Sequence, residues 1–206
     1  MSWHDSTGAL IASNDDYSTD PANAFLETFG LAPPSELESA LFRSLAPGAY
    51  TVILRGVGGV GVGLVEVYDA DLVVNGHAGD SRLANISTRG EVGAGDDVMI
   101  GGFIVGGSDR AQMVIRGLGP SLVSNVSSAV LPNPKLGLYN GDGTEIASND
   151  NWQELQAKEI EATGLAPTDP LESAIDVSVS PGNYTAILSG VDGGTGIGLV
   201  EVYNIP

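Results

Sequence analysis

The sequence predicts an all-β chain: an antiparallel, jelly-roll-like β-sandwich in which one complete module follows a half-module. Three observations carry this expectation. Glycine is abundant, 29 of 206 residues, and it falls between short apolar runs, where tight turns need it. Those runs alternate in polarity with a period of two and recur roughly every 10 residues, the spacing of a sandwich or barrel. The chain also repeats itself at an offset of 134 or 135 residues.

The repeat is read directly from paired segments. Ile11-Ala-Ser-Asn-Asp-Asp-Tyr17 returns as Ile146-Ala-Ser-Asn-Asp-Asn-Trp152. Leu31-Ala-Pro33 returns at Leu165, Leu37-Glu-Ser-Ala40 at Leu171, and Pro47-Gly-Ala-Tyr-Thr51 at Pro181. Gly63-Leu-Val-Glu-Val-Tyr68 returns unchanged as Gly198–Tyr203. Duplication of a whole supersecondary unit marks a modular or assembling protein.

Individual elements follow from patterning. Tyr50-Thr-Val-Ile-Leu-Arg55 sends Tyr50, Val52 and Leu54 to one face, and its copy Tyr184–Ser189 does the same. Such alternation with β-branched and aromatic residues predicts half-buried strands. Pro-Gly ahead of each marks a turn, and the glycine-rich segment behind it a hairpin. Leu64–Tyr68 reads as a further strand. Ala84–Thr88, Val98–Val105, Gln112–Arg116 and Lys135–Tyr139 add strands without counterparts ahead of residue 72, apart from the last. Helix signals are few: Asn151–Glu161 supports about two turns with Asn149 or Asp150 as cap, and Tyr17–Phe29 does likewise. The expected layout is a half-module over 1–71, a junction over 72–80 and a complete module over 81–206.

Composition limits the function classes. Hydrophobic residues at 42% are enough for a core. Acids outnumber bases 26 to 8, a net charge of −18, which repels nucleic acid and anionic membrane surfaces and attracts cations. The same acidity also serves simply to keep a secreted protein soluble. No cysteine is present, so neither a disulfide nor a thiolate metal site is available. No stretch has the ~18 continuous apolar residues of a membrane helix. Met1–Ser6 lacks a signal-peptide pattern, so an extracellular setting requires that such a peptide be removed or lie elsewhere.

Leu136-Gly-Leu-Tyr-Asn-Gly-Asp-Gly-Thr-Glu-Ile-Ala-Ser-Asn-Asp150, followed by Val179-Ser-Pro-Gly-Asn-Tyr-Thr-Ala-Ile-Leu-Ser-Gly190, resembles the bacterial pre-peptidase C-terminal domain family. Ala84–Gly90, Asp96–Val105 and Arg116–Leu122 resemble a repeat module of large secreted bacterial proteins. The likeness covers 81–206, and 1–71 by half. It implies a β-sandwich, an extracellular or cell-surface location and a non-catalytic accessory role.

Candidate sites are each open to a plainer reading. Asn14, Asp15 and Asp16, with Asn149, Asp150 and the hairpin acid Asp142, offer oxygens suited to Ca²⁺. The plainer reading is Asx-turns, in which these side chains bond their own backbone. Asp96 and Asp97 either help bind a cation or pair with Arg89 or Arg116. Glu66 and Glu201 occupy equivalent strand positions and read as outward-facing acids. A catalytic pair needs two different environments. Gly117-Leu-Gly-Pro-Ser121 has a superficial phosphate-loop look, without the Lys-Ser/Thr that would follow. Two histidines, His4 and His77, and no nucleophile motif give no catalytic residue and no zinc site. Trp3, Tyr17 and Trp152 flank the Asn-Asp loops, where they either stack on sugars or cap the sandwich. No cofactor beyond Ca²⁺ is suggested.

A half-sandwich leaves strand edges and an apolar face open. Three completions stay open: strands of another copy added head-to-tail into a fibre, packing of 1–71 against 81–206 as one enlarged sandwich, or upstream strands of a longer tandem array. The expected function is a non-catalytic extracellular structural or adhesive module, with the first completion as the working hypothesis. The alternative is a Ca²⁺-dependent module of a secreted hydrolase that binds a polysaccharide or surface protein.

Overall fold

The computed structural model of the chain describes residues 1–70 and 83–205. The chain divides into two compact units, residues 1–82 and 83–206. The expected junction over 72–80, with His77, lies outside the described residues.

The first unit holds one small antiparallel sheet. Its strands are β1 (Ser2–Asp5), β2 (Leu10–Ser13) and β3 (Tyr50–Ile53), in the order β2-β1-β3. A tight turn joins β1 to β2. Gly8 sits at φ 84°, which a residue with a Cβ adopts only with strain, and the Asp5 carboxylate accepts from the N–H groups of Thr7 and Ala9 at 2.8 and 3.0 Å. The polar segment expected to be helical forms two short 3₁₀ turns, Tyr17–Thr19 and Pro21–Asn23, and then α1 (Ala24–Thr28). Little apolar surface is removed from water here. Among the described residues of this unit, only Ala12 and Leu26 of the hydrophobic side chains are buried.

The second unit is a complete sandwich of two four-stranded antiparallel sheets. Its strands are β4 (Asn85–Val92), β5 (Met99–Val105), β6 (Ala111–Leu118), β7 (Pro134–Asn140), β8 (Glu145–Asn149), β9 (Ser173–Val179), β10 (Gly182–Gly190) and β11 (Gly196–Ile205). One sheet runs β5-β10-β7-β8, the other β4-β11-β6-β9. Alternate residues meet between them: Met113 and Ile115 of β6, Leu136 and Leu138 of β7, Ala186 and Leu188 of β10, and Val200 and Val202 of β11 form the core. The helix α2 (Ala157–Ala162) begins six residues later than the pattern at Asn151 suggested, and neither Asn149 nor Asp150 caps it. Its Ile160 packs with Trp152 and Ala174 in a second, smaller cluster.

Equivalent strands show what the first unit contains. β1, β2 and β3 are the counterparts of β7, β8 and β10. The register repeats: Asp5 opposes Tyr50 as Asn140 opposes Tyr184, and Trp3 opposes Val52 as Leu138 opposes Ala186. The Asx-turn repeats too, with Asn140 Oδ1 accepting from Asp142 and Thr144 N–H. Even the tyrosine tether recurs, Tyr50 to the Ala46 carbonyl at 2.7 Å and Tyr184 to the Ser180 carbonyl at 2.8 Å. The first unit is thus three strands of one sandwich sheet.

One expected strand is corrected. Leu64–Tyr68 is not a strand, although the identical Leu199–Tyr203 lies within β11. The reason is the pairing. In the second unit the strand neighbours of β11 are β4 and β6, and residues 1–70 contain no counterpart of either. The same holds for Ser39–Leu45, the counterpart of β9, whose single strand neighbour is β6. Strand propensity without a ladder partner does not make a strand.

Two outcomes are expected. Leu188→Ala, at a side chain with no solvent exposure, should cost about 2–5 kcal/mol in chemical denaturation of the second unit. In the first unit the Arg43 guanidinium, 2.6 Å from Asp20, holds that carboxyl below its ordinary value of 3.8, with the Ala22 N–H contributing next. A depressed folded-state value stabilises above the unfolded value, and the contribution is lost as pH falls through the folded one. Arg43→Ala should therefore raise the Asp20 titration midpoint in carboxyl-resolved NMR.

Candidate functional site

The face on which β6 and β11 meet is built around two carboxylates. Arg116 leaves β6 on the side away from the Met113–Ile115 core, directly across from Glu201 on β11. Its Nε donates to Glu201 Oε2 at 2.8 Å, its Nη2 donates to the same oxygen and, at 3.1 Å, to the Tyr203 hydroxyl. Nη1 donates to the Leu165 carbonyl at 2.9 Å. The guanidinium also lies over the Tyr203 ring, 5.1 Å from its centroid. Tyr203 in turn donates to Glu201 Oε1 at 3.0 Å. Burial pushes the Tyr203 hydroxyl above its ordinary value of 10, the Glu201 charge adds to this and Arg116 opposes it. Glu201 faces outward, as alternation with Val200 and Val202 requires, but it is only 8% exposed because Arg116 and Tyr203 cover it. Arg116 pairs with it rather than with Asp96 or Asp97.

The second carboxylate is Glu172, which is fully buried. It holds the turn that follows β6. Glu172 Oε1 accepts from the Gly119 N–H at 3.1 Å, the Ser121 N–H at 3.0 Å and the Ser121 hydroxyl at 2.6 Å. Gly119 is required there, because a Cβ would lie 2.1 Å from the Leu131 carbonyl oxygen. The phosphate-loop look of Gly117–Ser121 thus has a physical basis. The turn does present converging donors to an anion, and that anion is the protein's own glutamate.

The first unit carries counterparts of both carboxylates. Glu66 and Tyr68 are the counterparts of Glu201 and Tyr203, and Glu38 is the counterpart of Glu172. The Tyr68 hydroxyl donates to Glu66 Oε1 at 2.9 Å, as in the second unit. That bond, and next burial, raises the Tyr68 hydroxyl above 10. No cation among the described residues forms an ion pair with Glu66. Glu38 Oε2 accepts from Ser35 N–H at 3.3 Å, matching Glu172 and Asp169 at 3.4 Å, but among the described residues no turn donates to its other oxygen. Val65 and Val67 are 39% and 40% exposed, whereas Val200 and Val202 are 2% and 4%. Val57, Val60, Val62 and Leu64 stand exposed beside them.

The Asn-Asp loops are organised by their asparagines. Asn14 Oδ1 accepts from the Ala40 N–H at 3.0 Å and its amide donates to the Asp16 carbonyl at 2.9 Å. Asn149 makes the same two bonds, to Ala174 N–H and the Asn151 carbonyl, each at 3.0 Å. Both side chains tie a loop to the segment that follows it. An open depression beside the first loop is lined by Ser13, Asn14, Asp15, Thr19 and Asp20. Asp16 is partly exposed, and its carbonyl accepts from Thr19. The hairpin does not bring Asp142 to Asp150. Asp142 lies at the β7–β8 turn while Leu136 opposes Asn149 at the other end, roughly 16 Å of strand away at ~3.3 Å per residue. Among the described residues no three His, Cys, Asp or Glu side chains converge as a metal site.

The aromatic residues have separate surroundings. Trp152 is buried at 5% exposure and its indole N–H donates to the Asp169 carbonyl at 3.2 Å, so its ring caps the outer cluster instead of facing a ligand. Trp3 meets Tyr50 edge-on at 6.4 Å. The Tyr17 hydroxyl donates to Glu27 at 3.5 Å. The signal that reading by motif missed is positional. Glu38 and Tyr68 stand out only once the repeat is laid over the strand pairing.

Among solved structures the chain is similar to the pre-peptidase C-terminal domain of a collagenase from Bacillus anthracis, known at 1.0 Å. Identity is 14% and the TM-score 0.36, over 57% of this chain and 88% of that domain. No protein-family model matches, and no curated protein matches.

The two carboxylate settings differ in consequence. Arg116→Ala leaves Glu201 buried and unpaired and should destabilise the second unit by about 3–5 kcal/mol. Glu66→Gln, at an exposed residue, should change stability by about 0.5 kcal/mol or less. Denaturant titration of the two variants checks the contrast.

Proposed function

We propose that this chain is a non-catalytic structural or adhesive module of an extracellular assembly, joined to its neighbour by strand complementation at residues 1–70. One observation carries the reading. The segment Gly63–Tyr68 is identical to Gly198–Tyr203 of β11, yet among the described residues it has no ladder partner and its apolar side chains are exposed to water. Exposed apolar surface and unsatisfied strand backbone of this kind favour association. The carboxylates that invite a catalytic reading support the structural one. Glu201 is consumed by Arg116 and Tyr203, and Glu172 by the turn after β6.

The joint is heterologous, because the acceptor on one side differs from the donor on the other. Contacts of that type do not close and so extend into fibres.

Hydrogen exchange resolved by residue checks the reading. In the purified chain the amides of Gly63–Tyr68 should exchange at least about 10³-fold faster than those of Gly198–Tyr203, since only the latter sit in a ladder. Equal protection of the two identical segments would remove the basis for complementation.

A further inference from the structure

Each sheet of the second unit ends in two edge strands, β5 and β8 in one, β4 and β9 in the other. An edge presents unpaired N–H and C=O groups, and charges, bulges or a covering group normally keep it from pairing with other chains. Three of these edges carry such a device. β4 bears Arg89 and Glu91. β8 begins at Glu145, and its pairing with β7 shifts register between Leu138 and Tyr139. On β9 the Gln156 side chain covers the backbone of Asp176, donating to its carbonyl at 2.7 Å and accepting from its N–H at 3.1 Å.

β5 has none of these. Met99–Val105 pairs in unbroken register with β10 along one side, and among the described residues no strand pairs with the other. It contains no charged residue and no proline. Its outward side chains Ile100 and Ile104 are 59% and 74% exposed. The inward side is fixed by the core: Phe103 stacks on Tyr184 at 5.4 Å, and a Cβ on Gly101 would lie 2.9 Å from Val200. Acids stand at both ends of this apolar edge, Asp96 and Asp97 ahead of it and Asp109 behind it, all exposed. No cation among the described residues forms an ion pair with them, and Arg110 is turned to Ser178 and Ser180.

We propose that the open edge of β5 is the docking site for an extended segment of a partner polypeptide, β-branched at alternate positions and basic at both ends. The segment joins the β5-β10-β7-β8 sheet as a further strand, its backbone bonded to β5 and its apolar side chains beside Ile100 and Ile104. The charges select this occupant. A second copy adding through its own β5 sets acid against acid: Asp96 and Asp97 meet Asp109 in an antiparallel pair and meet themselves in a parallel one. Like charges so placed oppose pairing, and the net charge of −18 on each copy adds to this. Lysine or arginine at the ends of the partner reverses both effects. The acids thus close the edge to self-pairing and leave it open to one class of strand. The surface belongs to the complete sandwich and is independent of the complementation at residues 1–70.

The test uses the full 206-residue chain and a fluorescently labelled peptide, Lys-Lys-Val-Thr-Val-Thr-Val-Lys-Lys, read by anisotropy at about 0.15 M salt. Saturable binding is expected, with new exchange protection at the alternate amides of β5 that do not bond to β10. Replacing both threonines of the peptide by proline keeps its charge and removes backbone donors. That peptide should bind at least about tenfold more weakly, which separates strand addition from attraction of a cation to an acidic protein. Glutamate in place of every lysine should cost at least about tenfold as well. Ile104→Lys in the chain should weaken binding by about tenfold. Val123→Lys, the same change of charge at an exposed residue outside the sheets, should leave it unchanged. The proposal fails if the lysine peptide does not bind saturably, if the proline or the glutamate peptide binds as well, or if protection falls outside β5. It fails equally if the chain alone dimerises with those amides protected, because the occupant is then a second copy. Protection of the same amides in the monomer shows the edge already closed and also overturns it. Should Ile104→Lys not fold, the three peptides decide the question alone.

Discussion

Everything in this molecule turns on β6. It is the one strand that bonds to both β11 and β9, it sets Arg116 against Glu201, and it leads into the turn held by Glu172. A strand contributes stability only through its neighbours, because the ladder, the paired side chains and the buried face all belong to two partners at once. Where β6 is present, the hexapeptide Gly-Leu-Val-Glu-Val-Tyr is the centre of a sheet. Where its counterpart is missing, the same six residues are an exposed segment. The comparison inside one chain holds local sequence constant and varies only the partner.

The duplicated part shows which interactions are self-sufficient. β1, β2 and β3 keep the register of β7, β8 and β10, along with the Asx-turn and the tyrosine tether. Those features lie within hairpins or a single sheet, and they form without the opposite layer. The burial does not. Trp3 and Val52 stand where Leu138 and Ala186 meet the second sheet, and both remain partly exposed in the first unit. The loop asparagines behave like the hairpins. Asn14 finds the Ala40 N–H as Asn149 finds that of Ala174, although Ala174 belongs to a strand and Ala40 does not. Local hydrogen bonds survive the loss of a sheet, while the ion pair and the turn clasp do not.

Much of the architecture was legible in the chain. Period-two runs located β3, β4, β5, β6, β7 and β10. Three things were not legible, each for a physical reason. Leu64–Tyr68 has the composition of a strand, but composition carries no information about partners, and the pairing decides. Glu201 reads as an outward-facing acid and does face outward, but alternation assigns a face without saying what covers it. Here Arg116 and the Leu165 carbonyl do. Asp142 and Asp150 were expected to approach, but eight residues of separation across a tight hairpin place one at the turn and the other at the open end. The Gly117–Ser121 turn was half legible: its donors do hold an anion, but which anion depends on Glu172, 51 residues beyond Ser121.

The central claim is that the partner strands β4 and β6 decide whether the repeated hexapeptide becomes a strand. The most direct measurement grafts a second copy of residues 84–133 ahead of residue 1 and follows amide exchange at Gly63–Tyr68. The account predicts that these amides acquire the protection of Gly198–Tyr203. Amides that stay open beside a grafted block that has itself folded would contradict it.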